Sequence, residues 1–353
     1  MPSGLTQIRK RRVTVTDVAK HAGVSVGLTS MVLNRRASQS SDTTKAKVAA
    51  AARDLGYRPN IMARMLRAKQ TRTLGLAIPD LTLPYHALLA ASLAQATQDA
   101  EFHPLIELSS PTGPRISIQN LQDRLVDGLL LVLSTKDRER RLKLAGDMPP
   151  IVAVDASADA VTGGTVDRII VDRGQGVYEA TRHLLERGRR RVVIVLRLPL
   201  SPVGLPKSRG WRRAYEEAGL TVPKDDWIVQ LPERCDCPEP MTLGKLLVDR
   251  ALGQVPSLDG ILLCPDEPTP AIGAMIRLTE LGRRVPEDVA VVGMHGKHDA
   301  EGLPELATVA FPVEQMTGVA VRMLLERIQA TVAVPPSRTL ELSTRFIPGR
   351  SSG

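Results

Sequence analysis

The chain is 353 residues long, 43% hydrophobic and 24% charged, a globular balance that excludes disorder throughout and leaves length for two or three domains. Three cysteines cannot build a disulfide framework, and their odd number fits a reducing cytoplasm. The basic start, residues 1–12, lacks the apolar segment of a secretory signal, and no apolar run nears the ~20 residues that cross a bilayer. The net charge of +9 is concentrated: residues 1–72 hold 15 Lys/Arg against 3 Asp/Glu, whereas the rest hold 32 against 35.

A basic head on a mildly acidic body points to a polyanion partner for the head; a solvated basic tail is the competing reading of charge alone. Helical periodicity favours a folded head. Val18, Ala19 and Ala22 share one helix face, and Thr16 and Asp17 offer side-chain oxygens to the helix start. Gly23 interrupts the pattern, and Ser25 is a second N-cap candidate for a short helix reaching Leu33, with Val32 and Leu33 inward. A third helix is predicted over Ser41–Leu55, with Val48, Ala49, Ala52 and Leu55 on one face and Gly56 as its stop. A short helical stretch follows at Asn60–Ala68, then a polar link.

From Thr73 the period changes. Strands are predicted at Leu74–Ile78, Pro104–Leu108, Gly128–Leu133, Ile151–Val154, Arg168–Val171, Val192–Leu196, Gly260–Leu263 and Val289–Gly293. Between and after them lie helices at His86–Ala100, Gly174–Arg187, Lys207–Ala218, Met241–Ala251, Ala271–Leu281 and Val313–Gln329. Such alternation predicts parallel sheets covered by helices on both faces, and this many strands suit two sheets better than one.

The run Val15-Thr16-Asp17-Val18-Ala19-Lys20-His21-Ala22-Gly23-Val24-Ser25 resembles the opening of the LacI/GalR family of transcription regulators. Val32-Leu33-Asn34, Lys47-Val48, Leu55-Gly56-Tyr57-Arg58-Pro59-Asn60 and Ala63-Arg64 with Leu66 continue the likeness. In the body it extends through Thr73-Leu74-Gly75-Leu76, Val126-Asp127-Gly128-Leu129-Leu130 and Val285-Pro286-Glu287-Asp288-Val289-Ala290-Val291-Val292-Gly293. The resemblance implies an all-α helix-turn-helix head at 13–59 behind a basic stretch at 1–12, and a hinge helix and linker at 60–72. It further implies a two-lobed α/β, periplasmic-binding-protein-like effector domain with parallel sheets at 73–345, and a tail at 346–353. The function implied is operator binding by a homodimer on pseudo-palindromic double-stranded DNA, with repression controlled by a small-molecule effector between the lobes. No cofactor, metal or membrane enters this expectation.

By position, the base-reading residues fall on Val26, Gly27 and Met31, none of which donates a side-chain hydrogen bond. Direct readout is therefore thin, and thymine-methyl contacts, phosphate contacts and DNA shape carry more of the specificity. Gly27 either lets the backbone approach DNA or is simply a costly helix residue. The resemblance also places Thr14, Thr16, Ser25, Leu28, Thr29, Ser30, Asn34 and Tyr57 at the DNA. Asn60, Ala63, Arg64 and Leu66 fall in the hinge, with Leu66 at the position of a minor-groove wedge.

In the cleft, the resemblance points to Asp155, Asp172, Lys207, Arg209, Trp211, Asp266, Glu267 and His295. Capping is the competing reading of the first two. Glu267-Pro268 and Met294-His295-Gly296 stand where polar pairs are usual, so a sugar effector is not expected. Arg173-Gly174-Gln175-Gly176 opens a helix after a strand, like a dinucleotide fingerprint, but Glu179 fills the third glycine position. Cys235-Asp236-Cys237 and His295-Gly296-Lys297-His298 are each short of a metal-ligand set. The alternative from another class is a small-molecule binding protein or enzyme whose basic head is incidental.

Overall fold

The computed structural model describes residues 13–33, 40–57, 71–109, 115–123, 126–133, 142–143, 148–156, 161–162, 165–197, 200–201, 203–231, 239–265, 268–295, 306–330 and 336–353. The chain divides into two compact units at Thr71/Arg72. The predicted hinge helix lies outside the described residues.

The first unit holds helices α1 (Val15–Ala22), α2 (Val26–Leu33) and α3 (Asp42–Asp54). Thr14, rather than Thr16, caps α1. Its hydroxyl accepts from the Asp17 amide, while the Asp17 carboxylate accepts from the Thr14 amide at 2.8 Å, a reciprocal capping box. Gly23, at φ +66°, ends the helix in the left-handed region, so the turn into α2 needs a residue without a Cβ. Val18, Val48 and Ala51 form the small core, with Val32, Leu33 and Leu55 packed around it. With so small a core, one cap matters. Thr14→Ala is expected to destabilise this unit by about 1 kcal/mol, read as an earlier thermal loss of helical circular dichroism in the head.

The second unit opens with β1 (Thr73–Ile78), α4 (Pro84–Asp99), β2 (His103–Leu108), α5 (Arg115–Asp123) and β3 (Gly128–Val132). It continues through β4 (Leu142–Lys143), β5 (Ile151–Val154), β6 (Val161–Thr162) and β7 (Val166–Asp172), then α6 (Arg173–Glu186) and β8 (Val192–Leu196). Next come α7 (Gly204–Glu217), β9 (Ile228–Gln230), α8 (Pro240–Gln254), β10 (Gly260–Leu263), α9 (Thr269–Glu280) and β11 (Ala290–Met294). The last elements are β12 (Ala307–Ala310), α10 (Val313–Gln329), β13 (Thr339–Ser343), β14 (Arg345–Ile347) and a 3-10 turn at Arg350–Ser352.

Two six-stranded sheets result, in the orders β13-β7-β5-β3-β1-β2 and β14-β12-β11-β10-β8-β9. The first is wholly parallel, and in the second only β14 runs antiparallel, against β12. Strands such as Leu129-Leu130-Leu131-Val132 and Val192–Leu196 are buried along their whole length, as sheets covered on both faces require. The chain passes between the lobes three times: at Asp172/Arg173, at Phe311/Pro312 and at Thr344. At the last crossing, Thr344 donates its amide and its hydroxyl to the Asp172 carbonyl, and its hydroxyl accepts from the Gly176 amide at 3.1 Å. Two of the crossings are thus tied together by one buried side chain.

The reading of residues 346–353 as a tail is corrected. Phe346 and Ile347 lie in β14, and the turn behind them is buried. Ser351 Oγ donates to the Val291 carbonyl at 2.7 Å and accepts from the Ala307 amide at 2.9 Å, fastening the segment to β11 and β12. Polar composition was a poor guide because both serine hydroxyls here are internally satisfied.

Candidate nucleic-acid interface and effector cleft

In the first unit, α2 presents an open face. Ser25 Oγ accepts from the Leu28 amide at 3.2 Å and so starts the helix, as the sequence indicates. Val26 is 43% exposed and Met31 48%, on a helix whose other large residues turn inward. A Cβ on Gly27 would meet nothing within 4 Å, so the fold of this unit gives no packing reason for a glycine there. Ser25, Gly27, Thr14 and Thr16 are exposed, Leu28 and Ser30 half-buried, and Tyr57 packs partly against the core. Thr29 is corrected: it is 0% exposed and its hydroxyl donates to the Ser25 carbonyl at 2.9 Å, so it holds the helix rather than facing a partner. Asn34, Asn60, Ala63, Arg64 and Leu66 lie outside the described residues.

In the second unit the lobe junction is built from the ends of strands and the starts of helices. Asp155 follows β5, is fully buried, and stands at φ +55°. The Arg173 guanidinium donates to both of its oxygens at 2.7 Å, and the Tyr85 hydroxyl donates to Oδ2 at 3.1 Å. A buried carboxylate requires such partners. Arg173 is the first residue of α6 and also lies over the Phe311 ring at 5.2 Å, so two lobe crossings meet there. Lys207 is 2% exposed and donates Nζ to the Cys264 carbonyl at 2.8 Å. His295 directly follows β11 at φ +58° and stacks on Phe311, with centroids 3.8 Å apart. The same imidazole lies 4.2 Å from the Tyr85 ring, which belongs to the other lobe.

Of the residues named from sequence, Asp155, Lys207 and His295 reach this junction. Asp172 caps α6 by accepting from the Gly174 amide at 2.8 Å, which is the capping reading. Arg209 is exposed. Trp211 is corrected: it is 0% exposed, donates Nε1–H to the Val192 carbonyl at 3.0 Å and sets its edge against Tyr215, so its ring is core. Asp266 and Glu267 lie outside the described residues. Sequence reasoning missed Tyr85, Arg173 and Phe311. Arg173 was visible only as the first residue of the discounted glycine-rich run. Phe311 and Tyr85 carried a weaker signal, scarcity, in a chain with three Phe and four Tyr.

Residues 14–60 match the model of the bacterial regulatory proteins, lacI family, and residues 181–352 match a periplasmic binding protein-like domain. The HTH-type transcriptional repressor PurR of Yersinia enterocolitica serotype O:8 is 30% identical over 342 residues, 96% of each chain, and the PurR of Yersinia pestis bv. Antiqua matches equally. Among solved structures, the lac repressor dimer bound to operator and the anti-inducer ONPF superposes with a TM-score of 0.76 at 22% identity, over 97% of this chain and 99% of that one. The transcriptional regulator CelR–cellobiose complex matches with a TM-score of 0.63 at 25% identity, covering 96% and 100%. Among the described residues no helix is long and apolar enough to cross a membrane. The head, the two-lobed body and the relatives agree: the chain belongs to the lacI family of bacterial regulatory proteins and is a DNA-binding transcriptional regulator.

Proposed function

We propose that this regulator represses transcription in the cytoplasm as a homodimer on a two-fold-symmetric operator. In this reading α2 enters the major groove, and a small molecule held between the lobes changes operator affinity. It acts by binding, without a catalytic step. The carrying observation is the open start of α2, where Ser25, Val26, Gly27 and Met31 are exposed on a unit bearing a large excess of positive charge. Basic residues around it supply phosphate contacts, and the apolar readers limit base contacts to methyl groups and shape.

Selection of bound duplexes from a random pool tests this directly. A two-fold-symmetric consensus, with affinity falling steeply as salt rises, is the expected result. Met31→Arg then adds a fork that fits guanine O6 and N7. The variant is expected to select a different half-site while still binding DNA. An unchanged consensus would show that residue 31 does not face bases, and salt-insensitive or absent binding by the parent would overturn the reading as a whole.

A further inference from the structure

The end of the second lobe away from the junction is built from strand starts and helix ends. There the loops before β8, β10 and β11 lie side by side, because those strands are neighbours in the sheet. The first loop, Arg187-Gly188-Arg189-Arg190-Arg191, has arginine at every position but one, and the third carries Arg283 and Arg284. Hydrogen bonds join the three loops. The Arg189 guanidinium donates to the Pro286 carbonyl at 2.6 Å and to the Glu287 carbonyl at 3.0 Å. Arg191 donates Nε–H to the Ser257 carbonyl, and the Arg190 and Arg191 amides donate to the Asp259 carboxylate. Arg187, Arg190 and Arg283 are exposed, and Arg189 is half-buried.

The nearby acids do not cancel this charge. Glu186 is taken by Arg182 at 3.3 Å, Asp288 by Arg284 at 2.7 Å, and Asp259 lies 4.0 Å from Arg191. On the adjoining end of α7, Glu217 pairs with Arg213 and Asp225 with Arg212. Among the described residues Arg187, Arg189, Arg190 and Arg283 have no carboxylate in ion-pair reach, and Glu287 is the one acid of the three loops outside an ion pair. What holds Arg189 and Arg190 is neutral: Arg190 donates to the Leu185 carbonyl at 2.7 Å and to the Arg189 carbonyl at 2.8 Å. Carbonyls fix a guanidinium in place without neutralising it. Arg187 also closes α6, and a cation there answers the helix dipole. One such charge does not account for the others on converging loops, in a body that otherwise carries more acid than base.

We propose that this end of the second lobe is a second DNA-contacting surface, which holds the phosphate backbone of a duplex segment other than the one bound by the head. The unpaired cations are all arginine, whose planar fork matches phosphate oxygens and, once fixed, gives up little freedom on meeting them. The three loops contain no aromatic ring on which a base could stack, so the contact positions a duplex without reading its sequence. A regulator tethered to DNA by its head meets other segments of the same molecule at high effective concentration, so a weak contact suffices.

The test uses the full chain with its head saturated by unlabelled operator duplex from the selection described above. A fluorescent duplex of random sequence is then added, and its anisotropy reports a second binding event. The parent is expected to bind this second duplex, with affinity falling as salt rises. The triple variant Arg187→Gln, Arg190→Gln, Arg283→Gln should bind it at least tenfold more weakly, and the slope of log affinity against log salt should drop by about 3. Its operator affinity and urea midpoint should match the parent's. The triple variant Arg187→Lys, Arg190→Lys, Arg283→Lys keeps the charge and should keep the slope. If it loses the second duplex as the glutamine variant does, the arginines are structural and the proposal fails. It fails equally if the glutamine variant recruits the second duplex as well as its parent. A fluorescent polyglutamate peptide that binds the parent where the duplex does not would assign the surface to an acidic protein instead and overturn the DNA contact. A parent that binds its operator yet recruits no second duplex leaves the regulator reading standing and removes only this surface.

Discussion

Asp167→Ala is expected to lower the stability of the two-lobed unit by about 3–5 kcal/mol, read as a shift of the urea midpoint of near-ultraviolet circular dichroism. Asp167 lies near the start of β7 with no exposed surface. Its carboxylate accepts from Arg327 Nε at 2.8 Å and from the Arg327 terminal nitrogen. It also accepts from the Arg338 amide at 2.8 Å and from two nitrogens of the Arg338 guanidinium. Arg327 belongs to α10, and Arg338 leads into β13, so one carboxylate joins three segments of the first lobe. Removing it leaves the Arg327 guanidinium, on a residue only 6% exposed, without its counter-charge.

Burial alone would raise the Asp167 pKa, but the hydrogen bonds from Arg327 and Arg338 outweigh it and hold the group below its ordinary 3.8. A depressed folded-state value means that the unfolded chain binds the proton more readily. The stabilisation is therefore present above the unfolded value and is lost as pH falls from about 4 through the folded-state value. The acid limb of the parent's stability curve should flatten in the alanine variant. An unchanged midpoint, or an acid limb identical to the parent's, would show that the triad contributes nothing.

The second large effect belongs to Gly210. A Cβ there would sit far inside contact distance of the Gly174 carbonyl, which is backbone and cannot turn away. Gly210→Ala must therefore push α6 and α7 apart, and the cost is about 3 kcal/mol. The displacement falls beside function. Gly174 follows Arg173, and Lys207 lies one turn before Gly210, so separating the helices moves both cations of the lobe junction. Urea unfolding should show the loss, read as a lower midpoint for the variant than for its parent. A variant as stable as its parent would mean that the helix pair closes less tightly than its geometry indicates.

The contrast between these two residues explains what could be read from the sequence. Helix boundaries in the head and the apolar strands of the body followed from local pattern. Ile151–Val154, Val192–Leu196 and Gly260–Leu263 are strands over the very residues their composition indicates. Ala307–Ala310 is equally a strand, but its two strand-favouring residues, Thr308 and Val309, sit between alanines in too short a run to stand out. Thr339–Ser343 alternates half-buried and exposed positions at a sheet edge, without a continuous apolar run. Asp167 looked like any acid between two strand residues. Its partners stand 160 and 171 positions away, a separation that no window spans. The cleft divides in the same way. Asp155, Lys207 and His295 could be placed by a family likeness, whereas Trp211 shared that likeness yet turned inward, because its Nε1–H found a strand carbonyl. Nothing local separates a ring that lines a site from a ring that fills a core.

The exchange of strands between lobes also governs the order in which the protein can be made. The edge of the first sheet, β13, pairs with β7, and the edge of the second, β14, pairs with β12. The first sheet is complete only once residue 343 has left the ribosome and the second only at residue 347, and α10 reaches the first lobe only after nearly all of the second has been synthesised. The head, whose contacts are local, can fold within seconds of emerging, while the body waits with β7 and β12 as unfinished edges. A nascent chain paused before residue 339 would therefore carry a folded, basic DNA-binding head on a body still incomplete. Such a chain can find DNA before it can respond to anything else.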